Sequence, residues 1–269
     1  MLAVMSERRE IARSTFDSVA ALYDEARPGY PQAVYRDLIH LARLAPDARL
    51  LEIGSGTGHA TLPLAQQGFR IDGVELGEQM AAVARTRLAA FPAVSITVAD
   101  FDHWSASARY DLVFAASSYH WLNPAIRVRR IAALLAPGGH IAVFRNHHVA
   151  TEATAAFNHA VQRIYASTLG PQYSSSPLPC AGQIAPVEAA EWTASGLFVA
   201  PDTRIYQWRQ RLSAAEYVQQ LATHSDHRML PEHTRDQLFD NLQRLIDDEF
   251  SGAAEKDYAT LLQVAEKIP

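Results

Sequence analysis

The chemistry-bearing residues begin with one run, Leu50-Leu51-Glu52-Ile53-Gly54-Ser55-Gly56-Thr57-Gly58. Glycine takes alternate positions 54, 56 and 58 behind a carboxylate. At a strand-to-helix turn, glycines let the backbone approach a ligand with no Cβ in the way. The helix beyond offers N–H groups that have no partner inside it. A dinucleotide fingerprint needs its third glycine three residues after the second, and that position is His59. Glu52 would repel a pyrophosphate and attract a positive centre. The loop therefore predicts a nucleoside ligand with a cationic group.

Three further places carry polar chemistry. Glu75 ends the next strand, 21 residues past Gly54, where a carboxylate can accept hydrogen bonds from ribose hydroxyls. His120 lies just past the fourth strand, where open α/β sheets bind their ligands, and imidazole suits proton transfer near neutrality. His147 and His148 follow the fifth strand, but adjacent strand residues point apart. No further ligand lies at a usual zinc spacing, so no metal is expected.

Alternating strands and helices must position these groups. Strands are predicted at 49–53, 69–75, 94–99, 110–116 and 140–144, with helices at 59–67, 77–90 and 123–135. Short apolar strands separated by helices of about a dozen residues mean βαβ units. Strands apolar on both faces imply a parallel sheet covered on both sides. The core over 45–145 is thus a doubly wound α/β unit. A leader over 1–31, holding Phe16 and Tyr23, precedes a ligand-binding core at 32–150. The 151–269 half reads as the end of the same sheet plus a helical insert. It has a strand at 204–211, helices at 213–223 and 235–250, and a final strand at 258–264. Ser213 and Glu216 form a capping-box pattern. Residues 170–186, rich in Pro and Ser, read as a loop.

Composition narrows the function classes. The 269 residues carry 24 basic and 29 acidic side chains, a formal charge of −5. Domains that grip nucleic acid by bulk charge are usually basic, so no nucleic-acid partner is expected. No apolar run approaches the ~18 residues of a spanning helix, so no membrane role is expected either. The single cysteine, Cys180, forms neither an internal disulfide nor a zinc cluster alone, which fits a cytoplasmic protein.

The Glu52-x-Gly54-x-Gly56-x-Gly58 pattern resembles motif I of the class I S-adenosylmethionine-dependent methyltransferases of small-molecule type. The later motifs follow in that family's order over about residues 16–145. The resemblance implies a mostly parallel, seven-stranded, Rossmann-like sheet and S-adenosylmethionine as cofactor. It places Glu52, Gly54, Ser55, Gly56 and Gly58 around the cofactor and Leu76 beside the adenine. Asp100 would bond the adenine amino group, Phe101 would stack on the ring, and Ala115 would meet the methionine part. Tyr23 and Arg27 of the leader would close over that part, Arg27 taking a carboxylate in its planar fork. Ala136-Pro137-Gly138-Gly139 reads as the family's turn before strand five.

Tyr23-Asp24, Arg27-Pro28 and His120-Trp121 resemble the trans-aconitate and ubiquinone/menaquinone methyltransferase-like branch. The related base-methylating enzymes carry Asn/Asp-Pro-Pro-Tyr/Phe after strand four, whereas this chain reads Ala116-Ser117-Ser118-Tyr119. The expected reaction is methyl transfer to a small molecule by in-line displacement, with His120 as base or substrate contact. The alternatives are a non-catalytic binding module and an aminopropyl transferase on the same fold. Trp192, Trp208, Tyr206, Tyr217, His224 and His227 are candidates for the acceptor's lining.

Overall fold

The computed structural model describes residues 20–106, 108–173 and 178–269. The expectations for 1–19, Phe16 included, and for positions 174–177 of the loop lie outside the described residues.

Alternating burial explains the layers. Leu50, Leu112, Phe114, Ala142 and Phe144 pack on one face of the sheet with Val34 and Leu38. Leu51, Ile53, Val113, Ala115, Ile141 and Val143 pack on the other with Ile131 and Trp192. Consecutive strand residues point to opposite faces, so strands apolar throughout need cover on both sides. The helices α1 (Ala20–Ala26), α2 (Gln32–Leu41), α3 (Thr61–Ala65), α4 (Glu78–Arg87) and α5 (Arg127–Leu134) alternate with the strands β1 (Arg49–Ile53), β2 (Arg70–Glu75), β3 (Val94–Val98), β4 (Tyr110–Ala116) and β5 (Leu135–Val149).

The second half adds α6 (Ala155–Leu169), α7 (Val187–Ser195), β6 (Asp202–Ser213), α8 (Ala214–Ala222), α9 (Ser225–Arg228), α10 (Glu232–Glu249) and β7 (Ala253–Glu266). The seven strands form one sheet in the order β3-β2-β1-β4-β5-β7-β6. β1 to β5 pair in parallel, while β7 runs antiparallel to β5 and β6 antiparallel to β7. This is the expected doubly wound, mostly parallel α/β sheet. The strand order reverses between β1 and β4, which opens a crevice at their carboxyl ends.

The insert helices α6, α8 and α10 bury their own cluster around Phe157, Tyr217, Leu238, Leu242 and Leu245. Ser213 caps α8 in the expected capping box with Glu216.

The main departure from the sequence reading is β5. The sequence predicts a strand at 140–144 with the turn at 136–139 before it; the structure runs the strand from Leu135 to Val149. Its pairing with β4 stops at Ala116–Phe144. Beyond that point Arg145 to Val149 pair only with Leu261 to Asp257 of β7. The polar run Arg145-Asn146-His147-His148 lies past the expected end of the strand, yet the β7 ladder holds it extended.

Candidate active site

A cavity of about 460 Å³ lies over the carboxyl ends of the strands. β1 brings Ile53 and the glycine loop, β2 brings Val74 and Glu75, and the turn after β3 brings Ala99 and Phe101. Ala116, Ser117 and Ser118 come from the end of β4, and Arg145, Asn146 and His147 from β5.

The loop works as the sequence required. Gly54, Gly56 and Gly58 have φ of 69°, 55° and 83°, the region that disfavours a Cβ. A Cβ on Gly54 would stand 2.6 Å from Cβ of Ser118. Around Gly56 nothing lies within 4 Å of that position, so the backbone is open on its cavity side. Gly54 N–H donates to the Val74 carbonyl at 2.7 Å, which ties the loop to β2.

Glu75 holds the loop from the next strand. Its Oε2 accepts from Gly56 N–H and its Oε1 from Gly77 N–H, each at 2.8 Å. Leu76, Met80, Phe101 and Leu122 supply apolar wall beside it. Ser117 also has positive φ, 57°, a strain of the kind that collects at working sites. Its Oγ pairs with the Tyr30 hydroxyl at 2.9 Å.

The leader helix α1 crosses the cavity. Asp24 Oδ1 accepts from Arg87 Nη2 at 2.5 Å and lies 3.2 Å from His59 Nε2. On the other side Arg27 donates Nε to Thr223 Oγ1 at 2.9 Å and Nη2 to the Thr223 carbonyl at 3.3 Å. Gln220 Nε2 donates to the Ala26 carbonyl. Tyr23 and Arg27 thereby line the cavity, the guanidinium 5.0 Å from the centre of the Tyr23 ring. Burial raises the Tyr23 hydroxyl's pKa.

Of the residues assigned from sequence, Tyr23, Arg27, Gly54, Gly56, Glu75, Leu76, Phe101 and His120 line this one cavity. Glu52, Ser55, Gly58, Asp100 and Ala115 stand behind its wall. Glu52 is 1% exposed and accepts from Thr61 Oγ1 at 2.5 Å. Burial, then the neighbouring Glu75 charge, pushes its carboxyl up to about 8 despite that bond. Asp100 Oδ1 caps the turn by accepting from Asp102 N–H at 3.0 Å, while its neighbours Ala99 and Phe101 reach the cavity. Ala115 is buried and Ala116 takes the wall, the alternation of a strand.

The sequence does not single out Arg145 and leaves His147 a minor candidate, because the apolar run of β5 ends at Phe144. Arg145 Nε donates to His147 Nε2 at 3.0 Å. Burial, then Arg145, lowers the His147 pKa to about 4, so the ring is neutral and carries its proton on Nδ1. His148 turns the other way and lies 4.8 Å, centre to centre, from the Tyr258 ring.

The aromatic candidates of the second half serve mainly as packing. Trp192 is fully buried and donates Nε1–H to Tyr119 at 2.9 Å. Trp208 stacks on Tyr258. His224, Asp226 and His227 bring potential ligand atoms within 4.8 Å of one another. Both His227 nitrogens are already engaged, Nδ1 with Asp226 and Nε2 with the Tyr165 hydroxyl.

A glycine loop, a carboxylate on β2 and a cavity at the strand-order reversal come together on one Rossmann-like α/β sheet. Residues 51–141 match the sequence family described as a methyltransferase domain. An uncharacterised methyltransferase of Mycobacterium tuberculosis is 30% identical over 139 residues, 52% of this chain and 54% of that protein. A trans-aconitate 2-methyltransferase of Rhodopseudomonas palustris is 32% identical over 111 residues, 40% of this chain and 42% of that one. The chain thus aligns with about half the length of the curated relatives it matches. Among solved structures, a putative type II methyltransferase from Anaeromyxobacter dehalogenans superposes with a TM-score of 0.60 at 23% identity, covering 89% of this chain and 97% of that one. Phosphoethanolamine N-methyltransferase 2 of Haemonchus contortus, solved with S-adenosylhomocysteine, gives 0.54 at 18% identity, over 94% and 58%. Among the described residues no helix is long and apolar enough to cross a membrane.

Proposed function

We propose that this chain transfers a methyl group from S-adenosylmethionine to a small-molecule acceptor. The observation that carries the reading is the Glu75 carboxylate, placed on the cavity wall between the open glycine loop and the apolar pocket of Leu76, Met80 and Phe101. The residues fit a nucleoside, although Glu52, buried behind the wall and protonated at neutral pH, is not the charge that would draw a cation as the sequence suggests. Gly56 leaves its cavity side clear of any Cβ, Glu75 offers a carboxylate to ribose hydroxyls, and the apolar wall suits a base. The small-molecule names of the trans-aconitate and phosphoethanolamine relatives support a small acceptor.

When bound, the cofactor supplies a methyl already activated on a sulfonium. The protein's share is to position the acceptor and exclude water. Helix α1, pinned by Arg87 on one side and Thr223 on the other, covers the cavity. Tyr23 and Arg27 take the amino-acid part of the cofactor, and His120 accepts a proton from acceptors that must lose one. Glu75 is the one carboxylate among the described lining residues. A polyamine, which aminopropyl transfer requires, would find no acidic partner there once Glu75 holds the ribose.

Thermal unfolding with S-adenosylhomocysteine, S-adenosylmethionine or NAD⁺ tests this. Ligand at about 100 times its Kd stabilises by about 2.7 kcal/mol, a rise of about 5 °C or more for a domain of this size. Both adenosyl ligands should give that rise and NAD⁺ none. A rise with NAD⁺ alone, or with no ligand, overturns the reading.

A further inference from the structure

We infer that Arg145 and His147 form a dock for an oxyanion, a carboxylate or phosphate group carried by the methyl acceptor, at the β5 end of the cavity. The inference rests on the methyl-transfer reading and gives its acceptor a chemical class.

The dock is built by the part of β5 that overshoots β4. Arg145 and His147 are two residues apart, on the same side of the strand, and both line the cavity. The Arg145 side chain is held at two points. Its Nε donates to His147 Nε2, and its Nη1 stands 3.8 Å from Oε1 of the buried Glu188. Glu188 is itself fixed by Gln263, whose Nε2 donates to Oε2 at 2.9 Å. The 3.8 Å separation orients the guanidinium without a close hydrogen bond. Among the described residues Nη2 makes no hydrogen bond.

The tautomer matters as much as the charge. Because His147 Nε2 accepts from Arg145, the neutral ring has a donor at Nδ1 to offer. Two donors and a fixed positive charge thus share one wall. Asn146 between them is committed, donating Nδ2–H to the Gly29 carbonyl and accepting at Oδ1 from Thr260. Glu75, the one lining carboxylate, belongs to the nucleoside end. A guanidinium with a spare edge and an adjacent N–H matches an oxyanion, for which arginine's planar fork is preorganised. It repels a cationic amine.

Arg27 is the other lining arginine, and it already spends Nε and Nη2 on Thr223. It is the rival cation for an anion in this cavity, and the test must separate it from Arg145.

The test is calorimetric titration of the full chain saturated with S-adenosylhomocysteine, at constant ionic strength. The probes are succinate and inorganic phosphate, and the variants Arg145→Gln, Arg145→Lys, His147→Phe and Arg27→Gln. At least one probe should saturate the wild-type protein, and which one binds separates a carboxylate from a phosphate. Arg145→Gln should weaken that probe about tenfold or more, the size of a lost charge-assisted bond. Arg145→Lys should restore part of the affinity, and His147→Phe should weaken it severalfold. S-adenosylhomocysteine affinity in these three should stay within about threefold of wild type.

If the homocysteine ligand binds and neither anion does, the dock is overturned and the cofactor site stands. The same holds if anion affinity falls in Arg27→Gln and not in Arg145→Gln. If S-adenosylhomocysteine fails to bind the wild type, the methyl-transfer reading falls and takes this inference with it. Should Arg145→Gln fail to fold, Arg145→Lys and His147→Phe decide the matter.

Discussion

Glu52 should make stability depend on pH in a way that Glu52→Gln abolishes. The carboxyl sits fully buried beneath the glycine loop, and burial raises it from an ordinary 4.5 to about 8. Between those values the folded protein holds a proton that the unfolded chain has released. Stability supplied by this group is therefore complete below pH 4.5 and lost as pH climbs to about 8. Each unit of pH in that window costs about 1.4 kcal/mol, which gives about 3 kcal/mol by pH 7. Glutamine imitates the protonated acid and still accepts from Thr61, so the variant escapes the loss. Denaturant unfolding of both proteins from pH 4.5 to 8.5 reads the effect. All other titrating groups are shared, so the difference isolates position 52. The variant should gain on wild type by about 4 kcal/mol, on the order of the linkage slope, across that range. A difference that stays flat with pH would refute the reasoning and mean that Glu52 ionises freely where it lies.

Two further perturbations follow from the same geometry. Gly54→Ala forces a side chain into φ of 69° and sets its Cβ 2.6 Å from Ser118. The left-handed backbone costs about 1–2 kcal/mol and the overpacking about 1–3 more. Urea unfolding should show a loss of about 3 kcal/mol, and a loss under 1 would mean that Ser118 yields easily. Lys256 is 4% exposed and donates to Gln220, and burial, then Arg27, lowers its pKa from 10.5 to about 7. Below pH 7 both states hold the proton and the folded protein bears the buried charge. From 7 to 10.5 only the unfolded chain holds it, so stability rises with pH. Lys256→Met should therefore be more stable than wild type at pH 6, with the gap closing towards pH 10; a gap that does not change with pH contradicts this.

Much of this architecture was legible from apolar patterning. Arg49 to Ile53 and Tyr110 to Ala116 emerge as strands where expected, because buried parallel strands need apolar residues on both faces. The glycine loop was legible for a different reason. Positive φ at Gly54, Gly56 and Gly58 is a backbone demand that residue identity records directly. The wall beyond Phe144 was not legible. Arg145 to His148 are polar and follow the apolar run, and pairing with Tyr258 to Leu261, more than 100 positions away, makes them strand. Side-chain direction was the other limit. Glu52, Asp100 and Ala115 lie beside cavity-lining neighbours, and a one-residue alternation decides which of a pair reaches the cavity. Trp192 likewise has the composition of a pocket residue, and its burial against Tyr119 is set by helix α7, whose docking the sequence does not announce.

The central claim is that Glu75 and the glycine loop hold an adenosyl ligand. Calorimetric titration of S-adenosylmethionine and S-adenosylhomocysteine into wild type and Glu75→Ala tests it most directly. Hydrogen bonds to a charged group contribute about 1.5–3 kcal/mol each, so affinity in the variant should fall at least tenfold, with the wild type binding both ligands. No binding by the wild type, or equal binding by Glu75→Ala, would contradict the account.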